Sequence, residues 1–595
     1  MKYQQKTQEF IIKIADTFSV DLNQIDAWLS DILKIKIEPF KPLQENNKTL
    51  SEEEIAHFAW RVLLLSKTLL QAIRIPIFDT GHVKKINNED AHGCAITLDI
   101  VFIEHIQKKV YLSVVNVAIN ILVNFMKKPQ TTENIYELFN IIQTQIMTPH
   151  MNSSGSGKST LPMLQAAHEL GIPFVHLSNG IYQLGWGSKS RRINRSIIDT
   201  DSAIGSQISQ NKIVTAMLLR NAGLPAPEHA LVVSQEEAMS VAQKLGWRVV
   251  VKPADQDRGE GVTIDVTSDE LLIKAFNFAF DISLSKQVII ERQVEGVCCR
   301  VFIANNKMLY AVKRLPKSVK GDGLQSVKEL IEEANTLENA TLPWQRGEPF
   351  PNDALAIEAM RDAGFTMGSI PNQGELVPLR KVESTQWGGV DEDITTTIHP
   401  DNLDIALRAA KLFGLQVCGI DIITSDISMP WHKNGAIINE VNFSPLLGGG
   451  DISKRMIPAY LKEFVVGDGR IPITVIVGDK KAMRIAQELQ KEQLLYSEQC
   501  FISSHDKTIS SKGEEIYYIS ESLHQRCKAL LFDIRVDTLI LVVQTDEFLN
   551  SGLPIDRIDK IIIASQELFS WKNKDEKLSN ASFDNIIELL KTANI

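Results

Sequence analysis

Cysteine is scarce. The chain of 595 residues has six, Cys94, Cys298, Cys299, Cys418, Cys500 and Cys527, and no CxxC pair. No histidine cluster accompanies them at zinc spacing, so nothing here codes a zinc ribbon or a thioredoxin-like redox motif. Reduced thiols in a cytoplasmic protein are the simplest reading. Met1–Phe10 is polar and has no signal-peptide core. Basic charge is not in excess either: 73 acidic residues face 63 lysines and arginines, a formal net charge of -10. Nonspecific nucleic-acid binding needs many phosphate contacts, so that partner class is excluded as a bulk property.

A long uninterrupted apolar run is also missing. The most apolar stretch, Val110–Met126, carries Ser113, Asn116, Asn120 and Asn124. Their spacing of three or four gathers them on one helix face. In a membrane span that stripe would face hydrocarbon, so the pattern predicts an amphipathic helix packed on a domain and no membrane partner. Internal repeats and low-complexity segments are absent.

What is present is an ordinary globular composition, 44% hydrophobic and 23% charged. At roughly 100–200 residues per domain, the length suggests three to five folding units. The pattern divides into 1–154, 155–467 and 468–595. In the first, Ser51 and Glu54 form a capping-box pattern opening a helix through His57–Leu70, and alternation over Ala95–Ile103 predicts a strand. In the second, helices are predicted over Leu161–Leu170 and Lys212–Ala222. The latter has apolar Val214, Met217 and Leu218 and stops at Gly223, Pro225 and Pro227. Strands are predicted over Leu231–Val233, Arg248–Val251, Val288–Glu291, Cys299–Ala304, Met308–Lys313, Val417–Ile423 and Ala436–Asn442, with Asn305-Asn306-Lys307 as a hairpin turn. The third opens on the apolar strand Gly469–Val477 and alternates strands with helices; Ser570–Ala581 is polar and reads as loose.

One phosphate-loop pattern is a decoy. Gly155-Ser156-Gly157-Lys158-Ser159-Thr160 has the ending of a P-loop, but Asn152 stands where the first glycine belongs and Pro149-His150 replaces the buried strand. A plain connection into a helix is the expected role.

The chemistry concentrates further on. Val249–Lys252 is an apolar strand delivering one lysine into a loop, Ala254–Val262, with Gly259 and Gly261. Backbone amides of such a loop can approach phosphate oxygens while the lysine supplies a point charge. The strand Val288–Glu291 exits through an acid into a short linker. Gly419-Ile420-Asp421-Ile422-Ile423 buries one acid in mid-strand, and Ile437–Asn442 places Glu440 and Asn442 on one side. A buried acid needs a partner. Asp421, Glu440 and Asn442 suit a hard divalent cation such as Mg²⁺; the alternative is that Arg300 or Arg314 satisfies the acids.

This order of a strand lysine with a glycine loop, an acidic hinge, a strand arginine, then Asp and Glu-x-Asn, resembles the ATP-grasp ligases, and more narrowly the cyanophycin synthetases. Tyr182–Gly187 with Arg191-Arg192-Ile193, Ser202-Ala203-Ile204, Asn211-Lys212, Gly321-Asp322-Gly323 and Ile398–Asn402 carry the narrower likeness. The resemblance covers nearly the whole chain. It implies an N-terminal α+β domain, a central ATP-grasp fold and a C-terminal truncated Mur-ligase-like α/β domain. It also implies an ADP-forming carboxylate–amine ligase working through an acyl-phosphate on small amino-acid or peptide substrates. By the same resemblance Lys212 and Lys252 contact the ATP phosphates. The loop from Asp255 through Gly259 to Gly261 covers them, and Glu291 and Val294 line the adenine site. Asp421, Glu440 and Asn442 hold Mg²⁺, and Arg300 and Arg314 act on the transferring phosphoryl group. A cytoplasmic homo-oligomer, dimer or tetramer, is implied.

Departures accompany the likeness. Cys298-Cys299 stands where a ribose-binding acid is usual, with Glu295 as a substitute, and apolar packing is the expected role of the two cysteines. In the third unit Ala482 replaces the phosphate-binding lysine, Met483 the Mg²⁺-binding hydroxyl and Gln544 a metal-binding glutamate. That implies an inactive remnant serving packing or oligomer contacts, as in the short synthetase type that polymerises β-aspartyl-arginine dipeptides. The loops Glu383–Gly389 and Phe443–Gly450 also differ from the family pattern, which leaves ligation of another small peptide open. A noncatalytic ATP-binding scaffold is the alternative reading.

Overall fold

Strand pairing follows from alternation, and the computed structural model describes it over residues 3–14, 21–40, 50–89, 93–256, 259–383, 387–496, 499–520, 522–573 and 576–594. In the N-terminal part, β1 (Thr7–Ile14), β2 (His82–Glu89) and β3 (Gly93–Val101) form an antiparallel sheet in the order β1-β3-β2. Phe10 and Ile12 of β1 face inward with Ile96 and Leu98 of β3. The helix Leu50–Ala72 packs on this sheet; it already includes Leu50, so Ser51 is not its cap. The striped segment is a helix, Lys108–Asn120, running into a wider turn, Ile121–Phe125. By length and composition Lys108–Phe125 is apolar enough to cross a membrane. Yet Val110, Val114, Leu122 and Phe125 are core residues while Asn116, Asn120 and Asn124 are exposed, as expected of an amphipathic helix.

A small sheet, β4 (Phe174–Ser178), β5 (Ile181–Leu184), β6 (Arg191–Asn194) and β7 (Ile197–Ile198), follows the helix Thr160–Glu169. Two larger sheets then carry the chemistry. The first comprises β8 (His229–Val232), β9 (Val249–Pro253), β10 (Thr263–Val266) and β11 (Val288–Arg292), ordered β10-β9-β11-β8. Val249, Val251, Val288 and Ile290 bury one face under the helices Gln235–Leu245 and Asp269–Ile282, so Lys252 and Glu291 lie on the other. The second sheet comprises β12 (Val297–Ala304), β13 (Lys307–Pro316), β16 (Gly389–Asp393), β17 (Val417–Thr424) and β18 (Ile437–Phe443), ordered β16-β13-β12-β17-β18. Asn305 and Asn306 both have positive φ, +51° and +58°, the geometry of a tight hairpin between β12 and β13. Val301, Ile303, Ile420 and Ile422 pack on the helix Pro400–Phe413. Between β13 and β16 the chain inserts β14 (Ser318–Lys320), β15 (Leu376–Pro378) and two helices, Val327–Ala340 and Ala354–Asp362.

The C-terminal part is a sheet of β19 (Ile473–Val477), β20 (Cys500–Ser503), β21 (Thr508–Ile509), β22 (Glu515–Ile516), β23 (Thr538–Val543) and β24 (Lys560–Ile563), ordered β22-β21-β20-β23-β19-β24. The strands from β20 to β24 in that order run parallel, and β23 is buried along its whole length, as parallel strands are. The final helix, Asn580–Thr592, starts inside the stretch expected to be loose.

The helix predicted from Lys212 is present, and its buried side is partly polar. Lys212–Asn221 buries Thr215, Ala216 and Leu219, whereas Met217 is 48% exposed. The polar residue Thr215 is drawn inward because its hydroxyl donates to the Ile208 carbonyl at 3.0 Å.

Candidate active site

The apolar side of β12 and β17 fixes what their other side presents. With Val301, Ile420 and Ile422 in the core, Arg300 and Asp421 must project oppositely, and they are direct cross-strand partners. Arg300 donates from Nε and Nη2 to the two Asp421 oxygens at 2.7 and 2.6 Å. Asp421 pairs across the next strand with Glu440, and Gly419 with Asn442. The β17–β18 register shifts between Asp421 and Ile422, leaving Asn439 as an extra residue. That bulge lets Ile438 enter the core while Glu440 stands on the site face; strict alternation would put both on one side. Asn442 Nδ2 donates to Asp421 at 3.1 Å, and Arg314 Nη1 stands 4.0 Å from the same carboxylate. Arg300, Arg314, Asp421, Glu440 and Asn442 are thus brought together.

The electrostatics follow from burial. Desolvation works against the Arg300 charge, but the Asp421 carboxylate outweighs it and holds the guanidinium above its usual range. Glu440 is pushed up, by burial first and then by Asp421, against the pull of Arg300, Lys212 and Asn442. Asp421 is the satisfied acid of the pair, as the arginine alternative required; Glu440 has no ion-pair partner among the described residues.

On the facing sheet Lys252 Nζ lies 2.6 Å from Glu291 Oε2, with both side chains largely buried. Lys212 begins its helix and donates to the Gln256 carbonyl in the glycine loop at 2.8 Å, while its charge also reaches Glu440. It therefore connects the two sheets. Gly259 and Gly261 have φ of +76° and +73°, and a Cβ on Gly261 would meet Pro253 Cγ at 2.6 Å, so a side chain there would close the loop's cradle. Asp257 and Arg258 of that loop lie outside the described residues. Asp255 does not face the cradle: its carboxylate accepts from the Leu284 and Ser285 amides at 3.3 and 2.5 Å and anchors the loop. Val294 is half-buried in the linker after β11. Glu295 is exposed and paired with Arg248. Gly296 has φ +132°, and a Cβ there would sit 2.1 Å from the Thr424 carbonyl, so the linker crosses β17 in direct backbone contact.

Three residues stand at the site in places the sequence reading did not assign to them. Cys298 shares the site face with Arg300 and Arg314; burial and Asp421 push its thiol well above the usual range, against those two arginines. Only Cys299 packs in the apolar core, which corrects the expectation for the pair. Glu383 closes an ion pair on Arg314, and burial raises its carboxyl pKa in spite of that arginine. His229 is the cross-strand partner of Glu291, and its Nε2 is buried without a hydrogen-bond partner. The first and third could be found only from strand registers, the second only from the path of a loop.

The residues present fit a nucleotide with its cation. Two carboxylates and an amide oxygen make a hard-oxygen donor set, and a cation would favour the charged form of Glu440 that burial and Asp421 disfavour. Among the described residues no group of three His, Cys, Asp or Glu forms a metal cluster; the set here is two acids with Asn442.

No family model matches the chain. The cyanophycin synthetase of Crocosphaera subtropica is 32% identical over 434 residues, covering 68% of this chain and 48% of that protein. The one of Synechocystis sp. is 29% identical over 431 residues, with the same two coverages. This chain is similar to the cyanophycin synthetases over about two thirds of its own length. It spans about half the length of the curated synthetases it matches. Among solved structures, a bifunctional glutathione synthetase from Pasteurella multocida covers 60% of this chain and 52% of its own at TM-score 0.42 and 24% identity.

The two loops with phosphate-loop patterns make contacts within the protein. Lys158 is exposed. Ser159 Oγ accepts the Leu447 amide at 3.0 Å, so the first loop seats the segment after β18. In the C-terminal part the Asp479 carboxylate accepts from the Lys481 amide and the Ser565 hydroxyl at 3.0 and 3.1 Å. An internal carboxylate thus caps the helix Lys480–Gln493 where a phosphate would otherwise bind. Ala482 is fully buried beneath it. The same part packs back on the small sheet: Gln183 Nε2 donates to the Leu531 carbonyl at 3.0 Å and Ser188 N to Val536 at 2.9 Å.

Proposed function

We propose that this chain is an ATP-dependent carboxylate–amine ligase, joining small amino acids or peptides through an acyl-phosphate. The observation carrying this reading is that Lys212 contacts the glycine loop of one sheet while its charge bears on Glu440 of the other. The relationship to the cyanophycin synthetases supports it.

Lys212 and Lys252 hold the nucleotide phosphates, with Gly259 and Gly261 letting backbone approach them. Glu291, Val294 and the orphaned His229 line the base. Asp421, Glu440 and Asn442 would hold Mg²⁺, which neutralises charge on the phosphate oxygens when bound. A substrate carboxylate oxygen attacks the γ-phosphorus, and ADP leaves. Phosphoryl transfer of this kind depends on positioning and charge neutralisation. The acceptor amine then attacks the acyl carbon, inorganic phosphate leaves, and the amine gives up a proton. Arg300, fixed by Asp421, and Arg314 support the oxyanion. Arg314 must share or release Glu383 to do so, and Lys252 likewise Glu291. The glycine loop keeps water from the acyl-phosphate.

Residues 1–154, 155–467 and 468–595 act as the N-terminal, ligase and inactive Mur-like units in this reading. A β-aspartyl-arginine dipeptide is the first substrate to try, in a cytoplasmic homo-oligomer. Residues 384–386 of the loop expected to shape that choice lie outside the described residues; beside them Trp387 stacks on Arg380 at 4.2 Å. Incubation with ATP, Mg²⁺ and a panel of amino acids and dipeptides, scored by ADP and product mass, tests the proposal. ADP formation dependent on one donor–acceptor pair supports it, and ATP binding without turnover on any pair favours the scaffold reading.

A further inference from the structure

A cavity of about 420 Å³ lies apart from the ligase site, and none of its lining residues belongs to strands β8 to β18. It sits where three parts of the chain meet: the segment Tyr3–Thr7, the end of the small sheet around Phe174, and the C-terminal helices carrying Lys528 and Leu589. Its volume is in the range of small-molecule sites, roughly 300–1,000 Å³. The body is apolar and aromatic, with Phe102, Phe174, Trp186, Leu531 and Ile555 among its walls.

Two lysines, Lys6 and Lys528, and two acids, Glu104 and Asp556, line it. Lys528 is committed to Glu104 at 2.9 Å. Asp556 accepts from Trp186 Nε1 at 3.1 Å and from Arg470 Nε at 3.0 Å. Both acids are therefore answered by cations of the protein. Lys6 lines the same cavity at its mouth; its backbone carbonyl accepts the Phe102 amide at 2.9 Å, while its amine has no hydrogen bond or ion pair among the described residues. Although the residue as a whole is exposed, partial desolvation of its amine, and Lys528 beside it, lower its pKa in spite of Glu104 and Asp556, a condition an arriving anion would relieve.

We propose that this cavity is a second ligand site, taking a small organic carboxylic acid whose carboxylate pairs with Lys6 and whose apolar body fills the aromatic walls. Because the walls come from both ends of the chain, occupancy ties the N-terminal sheet to the C-terminal helices and stabilises the folded protein by mass action.

The full chain is titrated calorimetrically with phenylbutyrate, phenylbutanol and phenylbutylamine. The proposal expects phenylbutyrate to bind at least about tenfold more tightly than the neutral alcohol, with the amine weakest, as a charge-assisted contact requires. Lys6→Gln, at an exposed position, removes that preference while the alcohol binds as before and ADP formation is unchanged. Leu553→Trp, which fills the cavity, removes binding of both. Absence of phenylbutyrate binding to the unaltered chain overturns the proposal. So does equal binding of acid and alcohol, or a Lys6→Gln protein that keeps the preference. Should Leu553→Trp fail to fold, the Lys6→Gln comparison decides alone.

Discussion

Arg300 grips both oxygens of Asp421, at 2.7 and 2.6 Å, in the middle of the sheet that carries the candidate site. Both groups are buried, so neither tolerates losing the other. Asp421→Ala should lower unfolding free energy by about 3–5 kcal/mol, because it strands a buried guanidinium. Urea unfolding measures this. A loss below about 1 kcal/mol, the range of exposed pairs, would show that the pair is solvated.

Lys252 and Glu291 form the corresponding pair on the facing sheet. Lys252→Met removes the phosphate contact that the proposed function assigns to this lysine and leaves Glu291 buried without its cation. ATP binding by calorimetry should weaken at least about tenfold, the scale of one charge-assisted contact. Unchanged ATP affinity would place the nucleotide elsewhere.

Lys158 supplies the opposite expectation. It is exposed, so Lys158→Ala should leave both stability and ADP formation nearly unchanged, within about 0.5 kcal/mol for a surface change. Loss of turnover in this variant would revive the first glycine loop as a nucleotide site.

Cys298 faces the cluster of Arg300, Arg314 and Asp421, yet its thiol is held well above the usual range by burial and Asp421. The thiolate is the reactive species, so native protein at pH 8 should resist iodoacetamide at this position, while denatured protein is labelled. Peptide mass spectrometry checks this. Rapid native labelling of Cys298 would mean that the arginines outweigh burial.

The two working sheets were legible in the sequence because one face of each is apolar at period two. Lys252, Arg300 and Asp421 then have only one direction to point. Glu440 was legible as an acid beside Asn442, but the bulge at Asn439 that turns it from Ile438 was not, since a bulge belongs to the pairing of two strands. For the same reason His229 and Cys298 were missed: their roles come from the registers with Glu291 and Arg314. The Glu383–Arg314 contact joins residues 69 apart through a loop, which no local pattern encodes. Asp255 was placed on the phosphate side by the family resemblance alone; in the structure its carboxylate accepts two backbone amides across the loop.

ADP release by the unaltered chain and by Glu440→Gln, each with ATP, Mg²⁺ and the best donor–acceptor pair from the panel, probes the central claim most directly. Glutamine keeps the shape and removes the charge offered to the cation, so release should fall at least about a hundredfold, or about 2.7 kcal/mol in the barrier, while the fold is retained. A Glu440→Gln protein that releases ADP at the unaltered rate would contradict the account.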